Sequence, residues 1–423
     1  MKTTNLILLA ALLISSIGHA QKVKLNDNQK LKSASVLAFG PNNVLFIGDS
    51  KEATIHAVET SAQAISDPIP YNLEGFDEMI AEKLGISLRE VYVTDMKVHP
   101  VSQEVYTAVR MGYKPDAMSV VTIVHPATGE MRFLEVTSSN STSIKLNNPA
   151  SEDLMFWQET PASALSITDI DYHDGSVYVA GLSNSDFASN IRKIAYPFND
   201  SQEAVKSIEV YHAVHTQNET RAPIRTMLFE DFGGVSTLVA SYTCTPLVTI
   251  PASEIKAGAV IKGKTIAELG YGNTPIDMLV VTTQGFDGSM SKSLLVTHKN
   301  RGGSMIPLGS VEAGAKGDGM AGQQAMFASG LEGIQEIPTA NVMQVDVQNQ
   351  QMLAILRRNI ETGSIDLVSE LTGTFLRLSD FISEYDFPSY TYPEVQEQTK
   401  QYHDMVKQME GYPDLTSDKM ERK

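Results

Sequence analysis

The chain of 423 residues contains a single cysteine, Cys244, and a single tryptophan, Trp157. One cysteine cannot form an intrachain disulfide, and it excludes covalent c-type haem, four-cysteine zinc sites and iron–sulfur clusters. The lone tryptophan leaves little aromatic surface for stacking on a quinone. These two shortages argue against quinoprotein or electron-transfer chemistry.

Positive charge is also scarce. Lys and Arg number 33 against 50 Asp and Glu, which gives a formal net charge of −17. An acidic protein is repelled by nucleic acid and by anionic membrane surfaces, so neither is expected as a partner. The same balance favours solubility and, secondarily, cations as ligands.

The N-terminus has an apolar run over residues 6–17 that is too short to span a bilayer comfortably, and no later stretch reaches membrane length. Lys2 precedes the run, and the small residues Gly18 and Ala20 end it. This pattern is typical of a secretory signal peptide, residues 1–20, cleaved before Gln21. We therefore expect a periplasmic or secreted protein without a membrane span.

Short strands with tight turns dominate the remainder of the chain. The pattern of an apolar first strand, a turn and two further strands recurs six times, with first strands beginning near Ser35, Thr94, Thr168, Ile224, Ile276 and Val342. Residues 205–210 are expected to end the third repeat. Repeated meanders of 50 to 75 residues predict an all-β fold, a β-propeller of six blades with seven as the alternative.

The propeller domain is expected to cover residues 21–392, followed by a C-terminal helix and disordered tail over residues 393–423. A short inserted helix is predicted over residues 75–85, a polar insertion over 140–160 and a glycine-rich loop over 309–333. Residues 22–31 or the aromatic stretch 381–392 are expected to complete one blade and close the ring.

Two turns carry a family resemblance. Residues 99–106 (HPVSQEVY) and 125–130 (HPATGE) resemble the Asp-Pro-x-Thr-Gly-x-Val-Tyr-Val hairpins of bacterial exported propellers of the YVTN and NHL type. The resemblance covers the repeated core, and no blade carries the repeat in full. It implies a propeller fold and an exported protein, and it assigns no activity.

Charged residues recur at equivalent early positions of four first strands: Asp95, Asp169, Arg225 and Asp277. First strands line the channel of a propeller, so these side chains are predicted to converge at one mouth and bind a ligand. Three carboxylates could hold Ca²⁺, or Arg225 could bind a ligand carboxylate in a bidentate manner. The alternative is that the aspartates cap strand ends or bond across blades.

Other reactive side chains have structural alternatives. His99 and His173 lie four residues after Asp95 and Asp169 and could add metal ligands, while His298 follows a second strand. Each could instead form a hydrogen-bonded corner. Cys244 could be a nucleophile, but a single cysteine after a buried strand is more often a small core residue.

No known catalytic constellation is recognised, so the leading hypothesis is a non-enzymatic exported propeller. It would bind a protein partner or a small ligand at the channel mouth. The first alternative is a Ca²⁺-dependent hydrolase or lactonase with the metal in the funnel. The second is a quinoprotein-type or electron-transfer accessory protein.

Overall fold

Six sheets, antiparallel except for one strand pair, form the six blades of a β-propeller. The computed structural model describes residues 24–65, 69–156, 160–183, 188–243, 245–284, 289–337, 339 and 341–372. The expected signal peptide, Trp157, Cys244, the aromatic stretch 381–392 and the C-terminal helix lie outside the described residues.

Each blade contains a meander that starts with its inner strand, and in blades I, IV and VI strands from elsewhere in the chain extend the outer edge. We number the blades I to VI in chain order and give their strands from the channel outward. Blade I contains β1 (Val36–Phe39), β2 (Val44–Asp49), β3 (Thr54–Glu59) and β9 (Ser141–Lys145); blade II contains β5 (Val91–Val98), β6 (Val105–Met111), β7 (Ser119–Val124) and β8 (Met131–Phe133). Blade III contains β12 (Asp169–His173), β13 (Ser176–Leu182), β14 (Ser189–Ala195) and β15 (Gln202–Ala204).

The other half of the ring has one enlarged sheet. Blade IV contains β18 (Ile224–Asp231), β19 (Ser236–Tyr242), β20 (Pro246–Pro251), β21 (Val260–Glu268), β16 (Ser207–His212) and β17 (Gln217–Glu219). Blade V contains β22 (Pro275–Gln284), β23 (Met290–His298), β24 (Gly303–Pro307) and β25 (Gln335–Ile337); blade VI contains β26 (Val342–Val347), β27 (Met352–Arg358), β28 (Ile365–Leu371) and β4 (Asn72–Leu73). Among the described residues, the α-helices are α1 (Phe76–Leu84) and α2 (Leu308–Lys316), and β10 (Met155–Phe156) pairs with β11 (Thr160–Pro161) outside the blades.

The core is divided among the blade interfaces. Six of the apolar clusters each join two neighbouring blades: I with III, III with IV, IV with V, V with VI, VI with II, and II with I. Middle strands such as β7 are buried on both faces because each blade is packed between two others. The ring therefore closes through six similar apolar interfaces.

Blades I and II exchange places relative to chain order. The chain leaves blade I, adds β4 to the outer edge of blade VI, builds blade II between VI and I, and returns to blade I as its outer strand β9. Tyr71 reinforces this closure: its main chain bonds Ser369 in blade VI, and its hydroxyl donates to the carbonyl oxygens of Gln103 and Val124 in blade II.

Several sequence expectations need correction. β4 completes the last blade, whereas Leu31 of the expected closing segment forms only an isolated bridge to Ser119 of blade II. Residues 207–212 join blade IV in parallel with β21, not blade III. The polar insertion contains the edge strand β9, and the glycine-rich loop begins with helix α2. Strand starts and helix α1 are as predicted.

Candidate functional site

The six inner strands run in the same direction along the channel, so their first residues meet at one mouth and their last residues at the other. The first residues of these strands line a cavity of about 540 Å³, which we call the N-terminal mouth. The last residues line a second cavity of about 990 Å³ at the opposite end, the C-terminal mouth. Asp95, Asp169, Arg225 and Asp277 all line the N-terminal mouth, so the structure brings the four predicted residues together.

The aspartates also hold the blades together. Asp95 accepts the backbone N–H of Leu37 at 2.6 Å, Asp169 that of Met227 at 2.6 Å, and Asp277 that of Val345 at 2.9 Å. In each case the donor belongs to the inner strand of the next blade in the ring. The alternative of bonding across blades is therefore realised at all three positions, and one carboxylate oxygen of each is committed to it.

Two more aspartates make the same bond one step deeper. Asp346 accepts the backbone N–H of Val98 at 2.7 Å, and Asp171 that of Phe229 at 3.1 Å. All five bonds point the same way around the ring. Blade IV has Arg225 near the corresponding level, beside a β-bulge between Ile224 and Thr226, and β1 has apolar residues there.

Lys97 is the cation at the centre of this arrangement. Its Nζ lies 3.9 Å from Oδ1 of Asp277, and its side chain is 24% exposed within the channel. We call Asp95, Lys97, Asp169, Asp277 and Asp346 the channel ring. Sequence reasoning did not select Lys97 or Asp346, although Lys97 lies two residues after Asp95 and must therefore share its face of β5.

Burial shifts the pKa values of the channel-ring carboxyl groups and of Asp171. It raises the pKa of Asp277 to about 7 and that of Asp171 to about 6, and it raises the pKa values of Asp95, Asp169 and Asp346. Lys97 opposes each of these shifts. Burial would lower the pKa of Lys97, but the surrounding carboxylates, Asp346 foremost, raise it above its usual value. The ammonium is thus held charged among carboxyl groups whose pKa values are raised.

Arg225 differs from the other charged groups of the mouth. Its Nε is buried and has no hydrogen-bond partner among the described residues. Burial lowers its pKa, and the charge of Asp169 acts in the opposite direction. Lys299 and Arg358 line the same cavity from exposed positions. The mouth therefore offers a half-buried guanidinium whose Nε has donor capacity left over.

The predicted histidines occupy separate corners. Nδ1 of His99 accepts the backbone N–H groups of Val101 and Ser102, and its Nε2 lies 3.1 Å from the Thr60 hydroxyl. The backbone N–H of Gln103 closes the same turn on the carbonyl oxygen of His99. Both ring nitrogens are therefore engaged in a hydrogen-bonded corner.

His173 stacks on Phe229 with ring centroids 4.4 Å apart and contacts the Ser236 hydroxyl at 2.7 Å. Buried His298 contacts Ser304, and burial lowers its pKa to about 4. Within the described residues, neither His99 nor His173 forms a metal-sized group with Asp95, Asp169 and Asp277. The structure does not bring this expected metal set together.

The two turns that carried the family resemblance share one geometry. In the turn from His125, the backbone N–H of His125 donates to the carbonyl oxygen of Glu130, that of Gly129 to the carbonyl oxygen of His125, and that of Ala127 to Nδ1 of His125. The turn from His99 repeats all three bonds, and the turn from Asn359 repeats them with Oδ1 as the side-chain acceptor. These turns are a recurrent hairpin of this propeller.

Comparisons with known proteins assign neither a family nor a function to the chain. No family model and no curated protein matches the chain. Among solved structures, virginiamycin B lyase from Staphylococcus aureus is similar with 9% identity and a TM-score of 0.32, covering 81% of this chain and 98% of that one. Drosophila semaphorin 1a, extracellular domains 1–2, has the same identity and TM-score, covering 81% of this chain and 86% of that one.

Both neighbours are β-propeller proteins, and nothing about ligand or activity follows from matches at this level. The description as a six-bladed propeller depends on the sheet order and blade interfaces above, which confirm that part of the predicted resemblance. Within the described residues, no helix has the length and apolar character needed to cross a membrane.

Proposed function

We propose that this protein is an exported propeller, of the YVTN or NHL type, that binds a small ligand bearing a carboxylate or similar anion at the N-terminal mouth. The observation that carries the proposal is the buried Nε of Arg225 without a hydrogen-bond partner among the described residues. Buried polar groups are nearly always paired, and a buried N–H of a charged group that lacks a partner is especially costly. A carboxylate that accepts two parallel N–H bonds would satisfy it.

The surroundings of Arg225 suit a small anion. The cavity of about 540 Å³ is in the usual size range of small-molecule sites, and Lys299 and Arg358 add positive charge at its lining. The nearby aspartates repel an anion less than their number suggests, because burial raises their pKa values and backbone N–H groups bond them. The proposal concerns binding and invokes no catalytic step.

A Ca²⁺-dependent hydrolase would need the same carboxylates to face a metal ion. Lys97 already supplies positive charge beside Asp277, and cross-blade bonds engage an oxygen of Asp95, Asp169 and Asp277. No observation favours the metal over the anion, so ligand binding through Arg225 is the function we propose.

The test is a thermal-shift screen of small carboxylates, phosphates and sulfates, with Ca²⁺ as a separate arm. We expect an anion to raise the melting temperature of the wild-type protein and Arg225→Leu to abolish that rise. Arg301→Leu, which removes an exposed arginine outside the cavity lining, is the matched control and should bind normally. If only Ca²⁺ binds, and Arg225→Leu increases its affinity, the hydrolase hypothesis replaces ours.

Export is tested separately. The intact mass of the protein secreted by its native host should correspond to a chain that starts at or within a few residues of Gln21. A mature protein that retains Met1 would contradict the proposed periplasmic or secreted location.

A further inference from the structure

A cluster of two histidines and a glutamate lies at the outer edge of blade IV. His212 ends β16, Glu219 ends β17, and His215 lies in the turn between them. Nδ1 of His215 is 2.6 Å from Oε1 of Glu219, and Nδ1 of His212 is 3.6 Å from Oε2 of the same carboxylate. Within the described part of the chain, this is the one group of three His, Cys, Asp or Glu side chains whose ligand atoms all lie within 4.8 Å of one another.

His212 provides an independent sign that a ligand is missing. The side chain is only 1% exposed, and neither Nδ1 nor Nε2 has a hydrogen-bond partner among the described residues. A buried imidazole with both nitrogens unpaired is unusual, because buried side-chain polar atoms are generally satisfied. The contact between its Nδ1 and Glu219 is too long to count as a hydrogen bond. A metal ion would provide the partner.

We propose that His212, His215 and Glu219 bind a divalent transition-metal ion of the Zn²⁺ class. Two imidazoles and one carboxylate are a donor set that zinc uses in sites with three protein ligands and one open position. Imidazole ligands select against Ca²⁺ and Mg²⁺, which prefer oxygen. The fourth position faces solvent, since His215 is 40% and Glu219 24% exposed, and it would take water or an external ligand.

The three side chains are positioned by a well-supported hairpin. β16 pairs with β17 on one side and in parallel with β21 on the other. The hydroxyl of Tyr211 donates to the carbonyl oxygen of Gln323 at 2.6 Å, and the backbone N–H of Ala325 donates to the carbonyl oxygen of Ala213 at 3.1 Å. Both neighbours of His212 are thus tied to the segment that follows α2.

The cluster is separate from the channel. Five strand spacings of about 4.8 Å each place β17 roughly 24 Å from the inner strand β18. Metal binding here therefore neither requires nor tests the anion site at Arg225.

The experiment is calorimetric titration of the full-length protein, freed of metal with EDTA, with Zn²⁺ and in parallel with Ca²⁺. We expect one Zn²⁺ per chain and no Ca²⁺ bound by the cluster. His215→Ala and Glu219→Gln change exposed or partly exposed residues, so the fold should be retained, which circular dichroism verifies. Each should weaken Zn²⁺ binding by at least about 10- to 100-fold, the range already caused by loss of an outer-shell partner.

The matched control is His125→Ala, which removes a partly buried histidine from a comparable hairpin turn after β7. It should bind Zn²⁺ like the wild-type protein. The proposal is overturned if the wild-type protein binds no Zn²⁺, if His215→Ala and Glu219→Gln bind it normally, or if the control weakens binding equally.

Discussion

Replacing Asp277 with asparagine should make the protein less sensitive to pH. Burial raises the pKa of Asp277 from 3.8 to about 7, so the folded state binds a proton that the unfolded state releases above pH 4. A carboxyl group of this kind destabilises the fold progressively as pH rises from about 4 to 7. At about 1.4 kcal/mol per pH unit, the cost above pH 7 reaches about 4 kcal/mol.

The amide oxygen introduced by Asp277→Asn could still accept the backbone N–H of Val345, the bond that Asp277 makes at 2.9 Å. The variant should therefore have nearly the wild-type unfolding free energy at pH 4 and exceed it at pH 8 by up to about 4 kcal/mol. The pKa of about 7 already includes the attraction of Lys97, which lowers the pKa of Asp277. Urea unfolding at several pH values measures the difference, and exposed Asp318→Asn is the control. A difference that is constant with pH, or that shrinks as pH rises, would refute the reasoning.

Two further substitutions test how the blades of the propeller are packed together. Tyr71→Phe removes the hydroxyl that links blades VI and II and should lower the unfolding free energy by about 1–3 kcal/mol. The control Tyr113→Phe, at a side chain 69% exposed, should change the unfolding free energy by less than about 0.5 kcal/mol. Gly181→Ala would drive a Cβ into the carbonyl oxygen of Ser166 and should destabilise by about 1–3 kcal/mol or more. A Cβ at Gly309 in helix α2 would meet nothing within 4 Å, so the control Gly309→Ala should be neutral or stabilising by about 0.5–1 kcal/mol. Equal urea midpoints for the two alanine variants would contradict this account.

Local sequence patterns predict the parts of the fold that local physics determines. Inner strands begin within three residues of their expected positions. Alternating apolar residues and tight turns are local features, so they can be recognised without knowledge of tertiary contacts. Helix α1 follows its periodic apolar face and ends at Gly85, which has a left-handed backbone as a helix C-cap often requires. Six blades follow from counting such units.

The expectations that were wrong concern the edge strands of the blades and the strands with which they pair. β4 has two residues and β9 has one buried side chain, Ile144, so neither carries a strand pattern that could be recognised without its partner. The exchange of blades I and II depends on these two strands. In α2, Gly314 is not a loop signal: a Cβ there would be 2.6 Å from Leu331, so glycine permits the helix to approach its neighbour.

The candidate sites were also only partly predictable from the sequence. Equivalent strand positions correctly place Asp95, Asp169, Arg225 and Asp277 at one mouth, because inner strands share a direction. The pattern does not reveal that backbone N–H groups of the next blade bond the carboxylates. The His212 and His215 spacing is visible in the sequence, but Glu219 joins them only when the chain turns back as β17.

Closure of the ring through β4 also determines when this protein can fold. The bond from the backbone N–H of Tyr71 to Ser369 spans 298 residues, so blade VI stays one strand short until both ends of the propeller are available. A chain emerging from the ribosome cannot complete the ring, and its pairing of distant segments predicts slow folding. For a protein that we propose to be exported, such a delay would favour an unfolded chain at the time of its passage across the membrane. Any truncation that removes β28 would leave the edges of blades exposed to aggregation.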